Sequence, residues 1–280
     1  MDLLCSIGDL LQDVVVAPAR PFLPDDDNPA RIRIGPGGQA ANFCAWAAHL
    51  GAPARLLTKV GDDEAGERLA AHLARRGVDV RAARGEVPTG IIVVLLGGPR
   101  ERTLFTQRGA SVTLAPDEVL EEWMAGVRHL HVPAYTLFLE PAASSTRRAV
   151  ALARRGGASL SVDLSSAAGI RERGPAELAQ ELSKLHPEVV FGTAAEQEAL
   201  GLALGEVAGT GVVKLGEEGC EVGGARLPAP PPRGADATGA GDAFAAAYCV
   251  ATLGGAMPQE AARRGLEAAA QALGTSGAQP

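Results

Sequence analysis

The segment Asp236-Ala-Thr-Gly-Ala-Gly-Asp242 combines glycine with two carboxylates just ahead of an alanine-rich stretch of helical period. The preceding residues, Leu227 to Arg233, are rich in proline and predict irregular structure. Thr238 to Gly241 should therefore form a loop that opens directly into a helix. Such a loop exposes unpaired N–H groups at the positive end of the helix dipole, which favours an anion, typically phosphate.

Asp242 falls in the first turn of that predicted helix, where it would point toward whatever the loop binds. A carboxylate beside a phosphate site is electrostatically unfavourable unless it takes part in the chemistry, and accepting a proton from an attacking hydroxyl is such a task. The alternative is an ordinary capped helix, with Asp236 or Thr238 as the cap and Asp242 favoured by the dipole. This motif alone leaves both interpretations open.

A second glycine-rich segment, Gly35-Pro-Gly-Gly-Gln-Ala-Ala-Asn42, precedes another predicted helix. Its glycines and Ala40 fit the G-x-G-x-x-A pattern of dinucleotide-binding folds. Two features count against that interpretation. The run Arg31–Ile34 alternates arginine with isoleucine, whereas the first strand of such a unit is buried on both faces. Lys59 and Val60 end the next strand, where an acidic residue is expected.

The elements that must position these motifs are short apolar runs alternating with stretches of helical period. The predicted strands are Leu3–Ile7, Ala54–Leu57, His129–Val132, Leu160–Val162, Val189–Phe191 and Gly211–Leu215. The predicted helices lie near Ala40–Leu50, Glu64–Arg76, Pro116–Gly126, Pro141–Arg155, Ala176–Leu185, Ala194–Leu202, Ala240–Leu253 and Gln259–Leu273. This alternation predicts an α/β fold with a mostly parallel central sheet covered on both faces, which binds ligands at the carboxyl ends of its strands.

Two segments interrupt the alternation, Val14–Ile34 and Val87–Arg108, and both hold strand-like runs without helices between them. We expect them to pair as a small sheet that projects from the main one. The prediction is a single domain over residues 1–280, with a small β lid formed by insertions at about 14–34 and 87–108.

The composition argues against several other classes of protein. With 280 residues, a net charge of −7 and only 4% aromatic residues, the chain is unsuited to general nucleic-acid binding or base stacking. No apolar stretch approaches the ~20 residues needed to cross a bilayer, and no secretory signal is visible, so a cytoplasmic protein is expected. The cysteines have no CxxC spacing and predict neither zinc nor a disulfide framework. His129 and His131 would share one face of a strand, where a metal site is not expected.

Taken together, the two glycine-rich segments resemble the signatures of the ribokinase-like (PfkB) carbohydrate kinases. The N-terminal signature extends from Gly37 to Gly61 and departs from the family at Cys44, where a serine, threonine or alanine is usual. The C-terminal signature, Asp236 to Asp242, agrees without departure. Weaker similarities extend the resemblance over essentially the whole chain: Gly8, Val162-Asp163, Glu196 and Lys214–Gly219. The resemblance implies a ribokinase-like three-layer fold.

The resemblance also implies a kinase that transfers the γ-phosphate of ATP to a hydroxyl of a sugar or sugar-like molecule. Asp242 would be the catalytic base, and the N–H groups of Gly239, Ala240 and Gly241 would form the anion hole. The residues that match the nucleotide site of the family are Lys214, Gly216, Gly219 and Thr238.

Magnesium is a second implication of the resemblance. Glu196 matches the acidic residue that helps to hold Mg²⁺ through water, although Thr193 replaces the asparagine of that motif. Lys214 is a further departure, because its position often holds threonine. A monovalent cation such as K⁺ near the C-terminal loops is common in the family and stays open here.

On the acceptor side, the residues that would contact the substrate are Asp13, Gly38, Gln39, Asn42 and Arg108. Asn42 could instead simply cap a helix, and Asp13 could lie in a turn. Arg33, Arg102 and Arg108 could clamp a carboxylate or phosphate, or be solvated residues of the predicted lid.

Several alternatives remain open at this stage. A nucleoside kinase is disfavoured by the shortage of aromatic residues in the predicted lid, whereas the lid arginines would suit a phosphosugar acceptor. A catalytically idle sugar sensor is disfavoured because Asp242 and the glycines are all retained. Lid-mediated homodimers are common among relatives of this family, but the sequence identifies neither the acceptor nor the oligomeric state.

Overall fold

The largest feature of the fold is a nine-stranded sheet in which seven neighbouring strands run parallel. A computed structural model describes residues 2–21, 23–98, 101–234, 238–274 and 277–280. The strands are β1 Leu3–Ile7, β2 Leu11–Pro18, β3 Ala30–Gly37, β4 Ala54–Gly61, β5 Val78–Gly85, β6 Thr89–Gly98, β7 Glu101–Gly109, β8 Val127–Pro133, β9 Ser159–Asp163, β10 Val189–Thr193, β11 Thr210–Lys214, β12 Cys220–Val222 and β13 Ala225–Leu227. The helices are α1 Gln39–His49, α2 Glu64–Arg75, α3 Ala142–Arg155, α4 Ala167–Arg173, α5 Pro175–Leu185, α6 Ala194–Leu200, α7 Ala240–Leu253 and α8 Pro258–Ala272.

The strand order of the large sheet is β13-β12-β11-β10-β9-β8-β1-β4-β5, with β12 and β13 antiparallel at one edge. From β1 the chain first adds β4 and β5 on one side, and later adds β8 to β11 on the other. The order of addition therefore reverses between β1 and β8. In open α/β sheets, a crevice for ligands forms at the carboxyl ends of the strands beside such a reversal.

Helices cover both faces of this sheet, which gives three layers. One core contains buried side chains of α1, α2, α7 and α8, and the other contains those of α3, α4, α5 and α6. Helix α7 is buried over most of its surface because the alanines from Ala243 to Ala247 allow close approach of its neighbours. Gly265 of α8 lies directly against the Phe244 ring, where a Cβ atom would clash. The mostly parallel three-layer α/β fold predicted from the sequence is confirmed.

A second, four-stranded sheet has the order β3-β2-β6-β7. Strand β2 pairs antiparallel with β3 and parallel with β6, and β6 pairs antiparallel with β7. Directly paired residues share a face, so one face carries the row Ile34, Val14, Val93 and Phe105 across all four strands. Asp13 precedes Val14 in β2 and therefore lies on the opposite face.

The helix predicted near Pro116–Gly126 is wrong. Two 3₁₀ turns, Pro116–Glu118 and Glu121–Met124, occupy this segment, and Leu120 between them is extended. The Arg148 Nε of α3 donates to the Val119 carbonyl at 2.9 Å, a carbonyl that a continuous helix would use internally. Tertiary contacts thus override the local helical propensity. The sequence analysis also did not predict α4, β5, β12 and β13.

The buried histidines and cysteines have structural partners within the part of the chain that is described. His129 lies between the hydroxyls of Ser159 and Ser161, at 2.7 and 2.8 Å, and burial lowers its pKa to about 4. His131 also contacts Ser161 and stacks on Phe43.

All four cysteines are buried and free of disulfide bonds. Among the described helices, none is both long and apolar enough to span a bilayer.

Candidate active site

The predicted loop and helix of the C-terminal motif are present. Gly239 is the N-cap residue of α7 and has a left-handed backbone conformation (φ 78°), so the cap position itself offers no side chain. The first N–H that bonds along the helix is that of Ala243, which donates to the Gly239 carbonyl at 2.9 Å. The N–H groups of Ala240 and Gly241 thus precede the first hydrogen bond along the helix and lie at the positive end of the helix dipole. Asp236 lies outside the described residues.

Asp242 joins the two glycine-rich motifs. Its Oδ2 accepts a hydrogen bond of 2.8 Å from Asn42 Nδ2 of α1. Burial raises the Asp242 pKa to about 7, the Asn42 bond and the Lys214 charge oppose that rise, and Asp163 and Asp13 add to it. A base whose pKa lies near neutrality can both accept a proton and release it.

A buried ion pair lies beside this carboxylate at the ends of two parallel strands. Lys214, the last residue of β11, donates to Asp163, the last residue of β9, over 2.5 Å. Burial alone would lower the Lys214 pKa, but Asp163, Glu196 and Asp242 outweigh that effect and raise it. A Cβ atom at Gly241 would lie 3.4 Å from Lys214 Nζ, so the ammonium group borders the start of α7.

Glu196 lies at the beginning of α6, next to the same ion pair. Its Oε2 accepts from the Thr193 N–H at 2.7 Å, and Thr193 Oγ1 accepts from the Glu196 N–H at 3.3 Å. This reciprocal pair is a capping box. Burial and the charge of Asp163 raise the pKa of Glu196.

The start of α1 requires glycine at position 38. Gly38 has φ 104°, and a Cβ atom there would collide with the Asp9 carbonyl. That carbonyl accepts the Ala41 N–H at 3.3 Å, which ties the first turn of α1 to the end of β1. Gln39 is the first residue of the helix and is half-buried.

Asp13 of β2 faces the backbone of Gly37, where a Cβ atom would overlap its carboxylate. Among the described residues, no hydrogen bond or ion pair engages this carboxylate. Burial raises the Asp13 pKa to about 7. Its effect on the pKa of Asp242 shows that the two carboxylates lie within electrostatic reach.

Arg108, at the end of β7, is paired with a residue that the sequence analysis did not select. Its guanidinium group bonds to the buried carboxylate of Asp9 and lies 3.8 Å from the ring centroid of Tyr135. Asp9 also accepts from the Ser111 hydroxyl at 2.8 Å, and its N–H donates to the Tyr135 hydroxyl at 2.8 Å. Even with these partners, burial raises the pKa of Asp9. The side chain of Arg102 lies outside the described residues.

The two glycines predicted for the nucleotide site differ in their surroundings. A Cβ atom at Gly219 would collide with the Leu227 carbonyl, so the hairpin of β12 and β13 itself requires this glycine. Gly216 has φ 61° and open space around it. Thr238 precedes Gly239 at the start of α7.

The structure also brings to this region Asp9 and Gln279, which the sequence motifs do not mark, and Asp163, which they mark only as part of a weaker similarity to the family. Asp9 and Asp163 had a detectable signal, because each lies at the end of an apolar run predicted to be a parallel strand. Gln279 had none, since its contact with Asn42 spans 237 positions of sequence.

Residues 1–280 match the family model described as pfkB family carbohydrate kinase, and the chain belongs to that family. The solved structures agree in fold. An Escherichia coli ribokinase II candidate, solved with ATP and Mg²⁺, has a TM-score of 0.84 at 23% identity, covering 99% of this chain and 94% of that one.

Among curated proteins, the chain is similar to fructokinases. It is 31% identical to a probable fructokinase-3 of Arabidopsis thaliana over 165 residues, which are 58% of this chain and 47% of that protein. It is 26% identical to the fructokinase of Solanum tuberosum over 260 residues, 88% of this chain and 79% of that protein. The chain thus spans about half the length of the Arabidopsis relative.

Proposed function

We propose that this protein transfers the γ-phosphate of ATP to a hydroxyl of a neutral sugar, with Asp242 as the general base. The observation that carries the proposal is the position of the Asp242 carboxylate. This carboxylate has a fixed donor in Asn42 and lies in the first turn of α7, and burial raises its pKa to about 7. A base and an anion site are thereby adjacent.

The proposed step is an in-line displacement at phosphorus. The sugar hydroxyl gives its proton to Asp242 as its oxygen bonds to the γ-phosphorus. The bond from that phosphorus to the bridging oxygen breaks, and ADP leaves with the bond's electron pair. Asp242 acts only when it is ionised, so activity should rise with pH through about 7.

The start of α7 is proposed to stabilise the transferred phosphoryl group. The N–H groups of Gly239, Ala240 and Gly241 would face the charge that develops on its oxygens. A preorganised donor of this kind contributes about 3 kcal/mol to transition-state stabilisation in other enzymes.

Lys214 is proposed to neutralise charge on the ATP phosphates. Its ammonium group borders Gly241, and Asp163 holds it in place. Thr238 and Gly216 would contact the nucleotide from the two adjoining turns. Gly219 would contribute through the shape of the hairpin, since its packing against Leu227 leaves no room for a side chain.

Mg²⁺ fits the donors present as a hydrated ion held mainly by substrate phosphates. Glu196 and Asp163 offer hard oxygen atoms at neighbouring strand ends. No cluster of three ligating side chains exists among the described residues, so a cage made of protein alone is not proposed. When bound, the ion would neutralise phosphate charge. Glu196 would act through water, since its Oε2 is engaged by Thr193.

A neutral sugar is the proposed acceptor. Asp9 already pairs with Arg108, so this arginine is less suited to hold a second phosphate or a carboxylate. Asp13, Gly38 and Gln39 would contact sugar hydroxyls instead, with the Asp13 carboxylate as an acceptor of hydrogen bonds. The fructokinases among the relatives support a hexose such as fructose.

We also propose that the four-stranded sheet is a lid and that two copies of the chain pair through it. Its apolar row continues across all four strands, and Ile34 and Phe105 are 58% and 59% exposed. An exposed apolar face of this kind is removed from water when it packs against the same face of a second copy, as in other symmetric dimers. Light scattering should show that Phe105→Lys reduces a dimer to a monomer. Thr106→Lys on the opposite face is the matched control, and a monomeric unaltered protein would refute the pairing.

The acceptor is tested by coupled ADP release over neutral sugars, sugar acids, nucleosides and phosphosugars, with K⁺ present or absent. We expect turnover with a neutral hexose and none with phosphosugars. Preference for a phosphosugar or a nucleoside would overturn the acceptor assignment. Sugar binding by calorimetry without any ADP release would overturn the kinase assignment and favour a sensor.

A further inference from the structure

The segment formed by residues 277–280 packs directly against the candidate active site. Ala278 and Gln279 are only 3% and 7% exposed. The Trp46 Nε1–H donates to the Ala278 carbonyl at 3.1 Å, and a Cβ atom at Gly239 would collide with Ala278. This segment therefore fits between α1 and the turn that begins α7.

Gln279 touches the site through one hydrogen bond. Its Nε2 donates to Asn42 Oδ1 at 3.2 Å, while Asn42 Nδ2 donates to Asp242 Oδ2 at 2.8 Å. The three side chains form a relay of two hydrogen bonds, and the carboxylate determines which atom donates in each of them. An ionised carboxylate only accepts hydrogen bonds, so the Asn42 atom facing it must be the nitrogen. The Asn42 oxygen then faces Gln279, which must donate.

The geometry points to Gln279 as a positioning residue for the proposed phosphoryl transfer, which holds the Asn42 amide with its N–H directed at Asp242. The inference rests on the proposed function. Without the Gln279 donor, Asn42 can rotate its amide by half a turn and place its carbonyl oxygen against the carboxylate. That orientation disfavours the ionised form of Asp242, the form that accepts the substrate proton.

The other end of the Gln279 amide shows that this contact is not general packing. Its Oε1 is buried and has no hydrogen-bond partner within the described structure. An unpartnered buried acceptor is unfavourable. Methionine, of nearly the same size, would fill the space without that penalty. The favourable contribution of the amide therefore lies in its bond to Asn42.

Besides Tyr135, whose pKa Asp242 helps to raise, four groups act on the pKa of Asp242 and must stay unaltered in any test. They are Asn42 on α1, Asp163 on β9, Lys214 on β11 and Asp13 on β2. Substitution of Gln279 leaves all four in place. Gln279→Met removes the donor, and Gln279→Glu replaces it with an acceptor that would draw the Asn42 N–H away from Asp242. Both variants should therefore raise the pKa of Asp242, and Gln279→Glu should raise it more than Gln279→Met.

The test is the pH dependence of kcat for these variants. The acidic limb should move up by about one pH unit in Gln279→Met, which lowers kcat about tenfold at pH 6 and little at pH 9. Gln279→Glu should move it further. Gln271→Met and Gln271→Glu, on the surface of α8, are the matched controls and should keep the profile of the unaltered protein. Equal losses at every pH, or an unmoved limb, would overturn the proposal.

A measurement without substrate separates this proposal from the proposed function. Carbon-13 NMR of the Asp242 carboxyl in the free protein should show its titration moving upward in Gln279→Met, whether or not any acceptor is turned over. Failure of the kinase proposal would appear instead as absent ADP release. If the variants do not fold, nitrogen-15 NMR of the unaltered protein decides. The Asn42 amide signals must shift as Asp242 titrates, and a Gln279 amide in fast exchange with water would overturn the relay.

Discussion

Asp242 and Asp13 approach the candidate site from opposite sides and differ in how their charge is supported. Both have a pKa of about 7, raised by burial. On the helix side, Asp242 receives a hydrogen bond from Asn42 and lies near Lys214. On the side of the four-stranded sheet, no described residue bonds to the Asp13 carboxylate. The two pKa values are thus similar for different reasons. At Asp242, partners of both signs act beside burial, whereas burial alone raises the pKa of Asp13.

This difference indicates different tasks. A base must keep its proton affinity while substrate binds, and fixed partners serve that need. A carboxylate that binds hydroxyls gains its partners only when substrate arrives, so it stays unpartnered in the free protein. Ionisation of either carboxylate weakens the fold, because both folded pKa values lie above the unfolded value, but only Asp242 has described partners whose removal should lower activity. The following predictions test the contrast in order of decreasing effect.

Among substitutions around the two carboxylates, Lys214→Met should have the largest effect, because it removes a cation from the helix side. We expect kcat to fall by about 100-fold or more, and the single variant to lose about 3–5 kcal/mol of stability since Asp163 is left buried and unpaired. Urea unfolding and kcat are measured together. Adding Asp163→Asn should restore most of the stability but not kcat, with Lys184→Met on α5 as the surface control. Recovery of kcat in the double variant would assign Lys214 to the fold alone.

Asn42→Leu should have a smaller effect that depends on pH. Its N–H lowers the pKa of Asp242, so its loss should raise that pKa and leave less of the ionised base below neutrality. We expect kcat to fall about tenfold at pH 6 and to recover to within about threefold at pH 9. A pH-independent loss would mean that Asn42 does not act through the base.

Asp13→Asn should change KM more than kcat and should make the protein more stable. The folded pKa of about 7 exceeds the unfolded value, so the ionised carboxylate weakens the fold increasingly as pH rises from 4 through 7. We expect KM for the sugar to rise about five- to tenfold and Tm to rise about 3–6 °C at pH 8, with no gain near pH 4. Calorimetric melting at both pH values checks the sign. A lower Tm at pH 8 would mean that Asp13 has a stabilising partner.

Much of the fold could be predicted from the sequence because its parallel strands are apolar runs separated by helices of clear period. Helix α7 begins and ends at the predicted residues. Pro116–Gly126 could not be predicted, since Arg148 from another helix satisfies a carbonyl in that segment. The two motifs predicted one common site, and the side chains of Asn42 and Asp242 do meet. They could not predict that Arg108 is paired with Asp9, because that contact depends on how β7 returns to the end of β1.

Asp242 is proposed to accept the proton of the attacking hydroxyl. The most direct test is transfer of labelled γ-phosphate to the acceptor by Asp242→Asn, with ATP binding measured separately and Asp117→Asn as the exposed control. We expect the rate to fall by about 10²- to 10⁴-fold while ATP affinity changes little, and the control to match the unaltered protein. A rate within threefold of the unaltered protein would contradict the assignment of Asp242 as the base.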